Sequence, residues 1–154
     1  MTTIEDYVNC NLKPMEITSS PWLYECSPDI TQKYPIADGK WMFFYHKSQI
    51  NDMWHLVKTK YRVGMLEGIH SIKVSTLYDN PRAICSNGGV ILFYCGSWDD
   101  EERVKYYGRK LLEQIPYTSR SGFVSYKSDA QTMSGTRATG QKRNFLYTLP
   151  CPRS

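Results

Sequence analysis

Two lysines occur in short segments whose polar and apolar residues alternate strictly. Lys73 lies in HSIKVSTLY together with Ser75, and Lys127 lies in GFVSYK together with Phe123. Because successive side chains of a strand point to opposite faces, each segment predicts an apolar face and a face that carries lysine. Lysine supplies positive charge, serine a hydroxyl donor and phenylalanine a stacking plane, a combination that holds a phosphate and a base. The competing interpretation is a solvated sheet face with scattered charges.

A glycine- and threonine-rich segment, SGTRATGQKRN, carries a second group of cations. Segments of this composition bind phosphates through backbone N–H groups and basic side chains. It is not a Walker-type loop, because Gln141 stands where that motif requires a lysine. We therefore expect Arg137, Lys142 and Arg143 to contact phosphate, and the alternative is a surface loop without a ligand.

Several aromatic residues are candidates for stacking on a base. Trp41, Phe123 and Tyr126 lie at or beside predicted strands, whereas Trp54 falls on the apolar stripe of a predicted helix and is expected in the core. Trp98 precedes a run of acids and could stack on a cationic base. We prefer the simpler interpretation that those acids occupy the positive end of a helix.

The sequence lacks the common motifs of catalytic and metal-binding sites. It contains no G-x-S-x-G motif, no paired histidines at metal-ligand spacing and no C-x-x-C among its five cysteines. We therefore expect no cofactor and no metal, reduced thiols, and binding rather than catalysis. The remaining enzymatic hypothesis is action on a phosphate ester, with Lys127 and Arg137 stabilising negative charge.

The composition predicts one globular domain of modest positive charge. The chain has 154 residues, a net charge of +4, 41% hydrophobic residues and 14% aromatic residues. Prolines recur at positions 14, 21, 28 and 35, so residues 1–38 are expected to form an extended N-terminal segment packed on a domain of residues 39–154. The sequence has no apolar leader and no apolar run of membrane-spanning length, which favours an intracellular location, cytoplasmic or nuclear.

Hydrophobic periodicity predicts the elements that position these residues. Met42–Tyr45 reads as a strand buried on both faces, and a helix over residues 49–61 follows with Ser48 as its N-cap. A second helix begins near Ser97, through an S-x-x-D capping pattern, and ends at Pro116. Further strands are predicted at HSIKVSTLY, VILFYC, GFVSYK and NFLYTL. The order β-α-β-β-α-β-loop-β predicts an α+β fold, a single mainly antiparallel sheet with helices on one face.

The pieces GKWMFFY, the helix that carries Trp54, IKVST and VSYKSDAQTMSG resemble the basophilic-leukaemia-expressed protein family, from Gly39 to about Gly135. That family is similar in fold to the cap-binding translation initiation factor 4E. The resemblance implies a curved antiparallel sheet with helices on its convex back, and a ligand on its concave side. It also implies that Lys73 and Lys127 lie on this ligand side. The tryptophan spacing differs from that of the factor, so its cap-binding residues are not carried over.

We therefore expect non-catalytic binding of a nucleotide-like anion, such as an RNA 5′ end, a free nucleotide or a cyclic nucleotide messenger. A second hypothesis is a protein-interaction module without a small ligand, in which the N-terminal segment docks on a partner or on a second copy. The enzymatic hypothesis ranks third.

Overall fold

A computed structural model describes residues 12–78, 88–130 and 145–154. A 3₁₀ turn at Pro14–Glu16 precedes the first strand. The strands are β1 (Trp22–Cys26), β2 (Gly39–His46), β3 (Ser71–Ser75), β4 (Gly88–Cys95), β5 (Phe123–Ser128) and β6 (Tyr147–Pro150). The helices are α1 (Pro28–Lys33), α2 (Lys47–Arg62) and α3 (Glu101–Gln114). Both long helices and the five predicted strands occur where the sequence pattern placed them, within a few residues.

The strands form one curved, six-stranded sheet in the order β1-β3-β4-β2-β5-β6. Every neighbouring pair is antiparallel. The prediction of an α+β protein built on one antiparallel sheet is therefore confirmed. The order also shows that β2 is central, because it pairs with β4 on one side and β5 on the other.

The two long helices bury their apolar stripes against the same face of the sheet. Ile50, Trp54, Val57 and Tyr61 are the buried hydrophobic residues of α2, and Val104 and Leu111 are those of α3. Trp41, Phe43, Ile72, Phe93, Val124 and Leu149 meet them from the strands. Burial of this kind contributes about 25 cal/mol per Å² of apolar surface, so this layer provides most of the stability of the fold.

The other face of the sheet is not covered in the same way, which corrects one prediction. Met42–Tyr45 was expected to be buried on both faces, but Phe44 is 57% exposed and Met42 is half-buried. Phe43, between them, is completely buried beneath the helices. The side chains of β2 therefore alternate between the helix-covered face and the opposite face, as in an ordinary strand, although residues on both faces are apolar.

Both helix N-termini are capped by residues other than those predicted. His46, not Ser48, is the N-cap of α2: its Nδ1 accepts a hydrogen bond from the Ser48 backbone N–H, and Gln49 completes a capping box. Asp100, not Ser97, caps α3 by accepting from the backbone N–H of Arg103. In each case the side chain of the residue immediately before the first helical residue accepts a hydrogen bond from a free N–H group of the first turn.

The N-terminal segment contributes to the sheet. Residues 12–38 were expected to be extended, without a strand or helix, whereas the structure has β1 at the edge of the sheet, followed by α1 with Pro28 in its first turn. Proline is compatible with both positions, since it lies in the first turn of a helix or beside a strand rather than within one. The division of the chain at residue 38 stays a prediction.

Candidate functional site

The face of the sheet opposite the helices is here called the open face, and the strand registers define it. Residues paired across antiparallel strands project to the same side. Lys40 is opposite Tyr94 on one neighbour and opposite Lys127 on the other, while Lys73 is opposite Leu92 and Tyr24. The open face carries Trp22, Tyr24, Cys26, Lys40, Met42, Phe44, Ser71, Lys73, Ser75, Val90, Leu92, Tyr94, Phe123, Ser125, Lys127 and Thr148.

Three lysines from three strands share this face. Lys40 lies near the start of the central strand β2 and is 6% exposed, and its Nζ is 3.2 Å from Oδ1 of Asp129, just after β5. Lys127 is directly opposite Lys40, and Lys73 is close enough for the charge of Lys40 to lower its pKa. Lys40, Lys73 and Lys127 thus lie on one face, with Asp129 in contact with Lys40. Clustered positive charge attracts anions.

The pKa values of Lys73 and Tyr94 are shifted because both side chains are partly buried on the open face. Burial lowers the pKa of Lys73, the charge of Lys40 lowers it further, and Asp129 acts in the opposite direction. Burial raises the pKa of Tyr94 to about 12, and Asp129 and Tyr24 add to that rise. The Nζ of Lys40 lies 5.9 Å from the centre of the Tyr94 ring. The lysines therefore sit in a partly desolvated setting, where an ionic contact is stronger than in water.

The opposite end of the open face is aromatic. Phe44 and Phe123 are 57% and 51% exposed. Each lies two residues beyond the paired Met42 and Ser125, on the side away from Lys40. Trp22 lies at this end on β1, opposite Ser75. The open face thus has a cationic end, at Lys40 and its pair, and an aromatic end, at the two phenylalanines.

Lys73 connects the two ends. Its Nζ is 4.5 Å from the ring centre of Trp22, within the range of a cation–π contact. Ser75, which the sequence predicted to bind phosphate, accepts a hydrogen bond from the backbone N–H of Val90 at 2.9 Å. The hydroxyl proton of Ser75 can still be donated to an acceptor, because that contact uses only a lone pair.

The predicted stacking residues divide between the two faces. Phe123 lies on the open face, but Trp41 and Tyr126 are completely buried beneath the helices, which is a correction. The indole Nε1 of Trp41 donates to the Val104 carbonyl at 3.1 Å, and the Tyr126 hydroxyl donates to the Cys95 carbonyl at 2.7 Å. Because strand residues alternate, side chains next to Lys40 and Lys127 in sequence point away from the lysines. Neither ring can stack on a ligand bound beside these lysines.

The remaining cations of the prediction lie outside the described residues. Arg137, Lys142 and Arg143 all fall within residues 131–144. Their contact with phosphate stays a prediction.

Sequence reasoning missed Lys40 and Phe44, and it left Trp22 undecided as a stacking candidate. Lys40 and Phe44 belong to GKWMFFYH, where Lys40, Met42 and Phe44 share one side of the strand. The alternation was present, but the apolar residues on both sides of the strand obscured it. Trp22 lies in a proline-rich segment, so no strand was predicted there.

Trp98 lies elsewhere, just before α3 rather than in its first turn. It is 43% exposed, its backbone N–H donates to Asp38 Oδ1 at 3.0 Å, and its carbonyl accepts from the Tyr147 hydroxyl at 2.8 Å. The neighbouring Asp99 accepts a hydrogen bond from the Ser97 hydroxyl at 2.5 Å. These contacts fix the turn that leads into α3.

Within residues 12–78, 88–130 and 145–154, no group of three or more His, Cys, Asp or Glu side chains is placed to hold a metal ion. Cys26, Cys95 and Cys151 are free thiols. None of the described helices combines the length and the apolar character needed to cross a membrane.

The geometry defines an α+β protein with helices on one side of a curved antiparallel sheet and a cationic and aromatic surface on the other. The family model described as basophilic leukemia-expressed protein Bles03 matches residues 24–134. This match covers well over half of the chain, so the chain belongs to the Bles03 family, and the resemblance inferred from the sequence is confirmed. A search of curated proteins gave no match.

Proposed function

We propose that this protein binds a nucleotide-like anionic ligand on the open face and does not transform it. The observation that carries the proposal is the grouping of Lys40, Lys73 and Lys127 on one face beside exposed aromatic rings. A nucleotide presents the complementary chemistry, since its phosphates are anionic and its base is flat and polarizable.

The energetics support an anionic ligand. Lys40 and Lys127 lie directly opposite each other, and like charges at paired positions destabilise a sheet. Asp129 offsets part of this repulsion through its contact with Lys40. A bound phosphate would offset more of it, so ligand binding and folding are expected to reinforce each other.

We also propose that the fold is similar to that of the cap-binding translation initiation factor 4E. That factor has a curved antiparallel sheet with helices on its convex side and holds a methylated guanine between two tryptophans on its concave side. The arrangement of elements here supports a similar fold. Trp22 is the tryptophan of this chain on the open face, whereas Trp41 and Trp54 are core residues. Any base would therefore be held by a different set of side chains.

The test is a panel of nucleotides, with thermal unfolding and intrinsic tryptophan fluorescence as readouts. We expect a ligand-dependent rise in Tm for the wild-type protein that is reduced in the Lys73→Gln/Lys127→Gln variant. Arg109→Gln/Lys110→Gln is the matched control, because it also removes two positive charges, from the exposed side of α3. No response of the wild-type protein at millimolar concentrations would refute the proposal. Turnover of a nucleotide would favour the hypothesis of an enzyme that acts on a phosphate ester.

A second candidate function is a protein-interaction module, and the position of β1 favours it. β1 is an edge strand formed by the N-terminal segment, and edge strands are where a second chain can add by backbone pairing. Light scattering separates the two functions. A mass that rises with protein concentration, together with no response to nucleotides, would favour the interaction module or a homodimer.

A further inference from the structure

The open face offers more stacking surface than one nucleotide uses. Phe44 and Phe123 lie on the adjacent strands β2 and β5, and both are more than half exposed. An isolated exposed ring needs no explanation, but two exposed rings on adjacent strands of one face can form a contiguous apolar patch, and such patches mark interaction sites. Two rings on neighbouring strands can each take one base.

The lysines are separated along the strands from the two phenylalanine rings. Lys40 and Phe44 are four residues apart on one strand, a separation of about 13 Å at roughly 3.3 Å per residue. Lys127 and Phe123 have the same spacing on β5. Lys73 lies between the two ends and reaches toward Trp22. Positive charge and aromatic surface are thus spread along an axis, as an extended ligand requires.

We infer that the open face binds single-stranded nucleic acid of two or more nucleotides, with successive bases stacked on Phe44 and Phe123 and the backbone phosphates near Lys40, Lys73 and Lys127. This inference rests on the proposed function and narrows it to an oligonucleotide. Sheets that bind single strands use this combination of exposed rings, which accept any base, and a positively charged path for the backbone. Paired bases would not be accessible to the rings, so a duplex is a poor ligand.

A length series tests the inference. The anisotropy of a fluorescent single-stranded hexanucleotide is measured in competition with unlabelled mononucleotides, dinucleotides, trinucleotides and a duplex, in RNA and DNA arms that show which sugar is preferred. We expect the affinity to rise about tenfold between mononucleotide and dinucleotide or longer, since base stacking gives an effect of that order. The duplex should compete weakly.

Substitutions at the rings separate stacking from charge. Phe44→Leu and Phe123→Leu keep apolar volume but remove the aromatic face, and each should weaken hexanucleotide binding about tenfold, more than it weakens the binding of a mononucleotide, which can use the remaining ring. Tyr106→Leu on α3, 42% exposed, is the matched control and should have no effect. Circular dichroism confirms that each variant is folded.

The outcomes are distinguishable. If mononucleotides bind as tightly as hexanucleotides, or if both leucine variants bind like wild type, the inference is overturned while the proposed function survives. If no nucleotide or oligonucleotide binds, both fail. If scattering shows that the phenylalanine substitutions instead dissociate a dimer, the rings form a contact between copies and the inference is overturned.

Discussion

Lys40 and Lys127 are directly opposite each other on β2 and β5, with both side chains on the open face of the sheet. Lys40 is almost completely buried and contacts Asp129 at 3.2 Å. Like charges at directly opposite positions of a sheet repel each other. The contact with Asp129 offsets part of this repulsion.

The first prediction concerns the coupling of Lys40 to Lys73. Burial lowers the pKa of Lys73 and the charge of Lys40 lowers it further, while Asp129 raises it. Lys40→Met removes a positive charge and releases Asp129 from its partner, so the pKa of Lys73 should rise while staying below its ordinary value. NMR titration of ¹³C-labelled lysine side chains measures this directly. Lys110→Met serves as the control, and an unchanged Lys73 pKa in Lys40→Met would contradict the coupling.

The second prediction is a loss of stability at alkaline pH. Burial raises the pKa of both Tyr94 and Tyr61 to about 12, from an ordinary value of 10.0. Because the folded-state pKa lies above the unfolded one, the stabilising effect is complete below pH 10 and is lost as the pH rises from about 10 to 12. Urea denaturation across this range should show the fall. Tyr94→Phe should make it shallower, and an identical pH dependence would rule out a contribution from Tyr94.

The third prediction reverses the usual effect of replacing glycine in a helix. Alanine normally stabilises a helix interior by about 1 kcal/mol relative to glycine. At Gly108 in α3, however, an added Cβ would lie 2.6 Å from Leu149 Cδ1 and 2.6 Å from Trp41 Cε2. Gly108→Ala should therefore destabilise the fold by about 1–3 kcal/mol, as overpacking does.

Chemical denaturation measures this change. Glu113→Ala, at an exposed position of the same helix, should change stability by less than about 0.5 kcal/mol. A Gly108→Ala variant as stable as wild type would mean that α3 can shift away from the sheet. The double variant with Leu149→Ala should recover part of the loss attributed to crowding.

The fourth prediction assigns ligand-induced fluorescence to one tryptophan. Trp41 and Trp54 are buried in the core, Trp98 lies before α3, and Trp22 is on the open face. A ligand that binds the open face should change the emission of Trp22 and leave Trp98 unaffected. The signal should then persist in Trp98→Phe and disappear in Trp22→Phe, although both variants still bind by anisotropy. The reverse pattern would place the ligand near α3 instead.

Local periodicity was sufficient to predict the two long helices, because the stripes that include Trp54 and Leu111 match a helical period and are buried. It also predicted the face on which Lys73 and Lys127 lie, since period-two alternation fixes side-chain direction within a strand. The helix N-caps were missed by two or three residues, because several side chains near each end can accept the same hydrogen bonds.

The sequence pattern did not show which strands are neighbours in the sheet. Lys40 joins Lys73 and Lys127 only because β2 lies between β4 and β5, a pairing of segments far apart in the chain. Trp41 and Tyr126 were open as stacking candidates because composition does not say which face a helix covers. The position of Trp22 required β1, whose flanking prolines gave no sign that the strand joins the sheet edge.

The central position of β2 also bears on how the protein is made. β2 is translated before the strands that flank it, β4 and β5, which follow roughly 40 to 90 residues later. Until residue 128 leaves the ribosome, Trp41 and Phe43 have no complete sheet to pack into. Pairings this distant in sequence are slow to form. Cotranslational folding of the sheet therefore waits until β5 is synthesised, and nascent chains that stall before β5 leave one side of β2 unpaired, which favours binding by chaperones and aggregation.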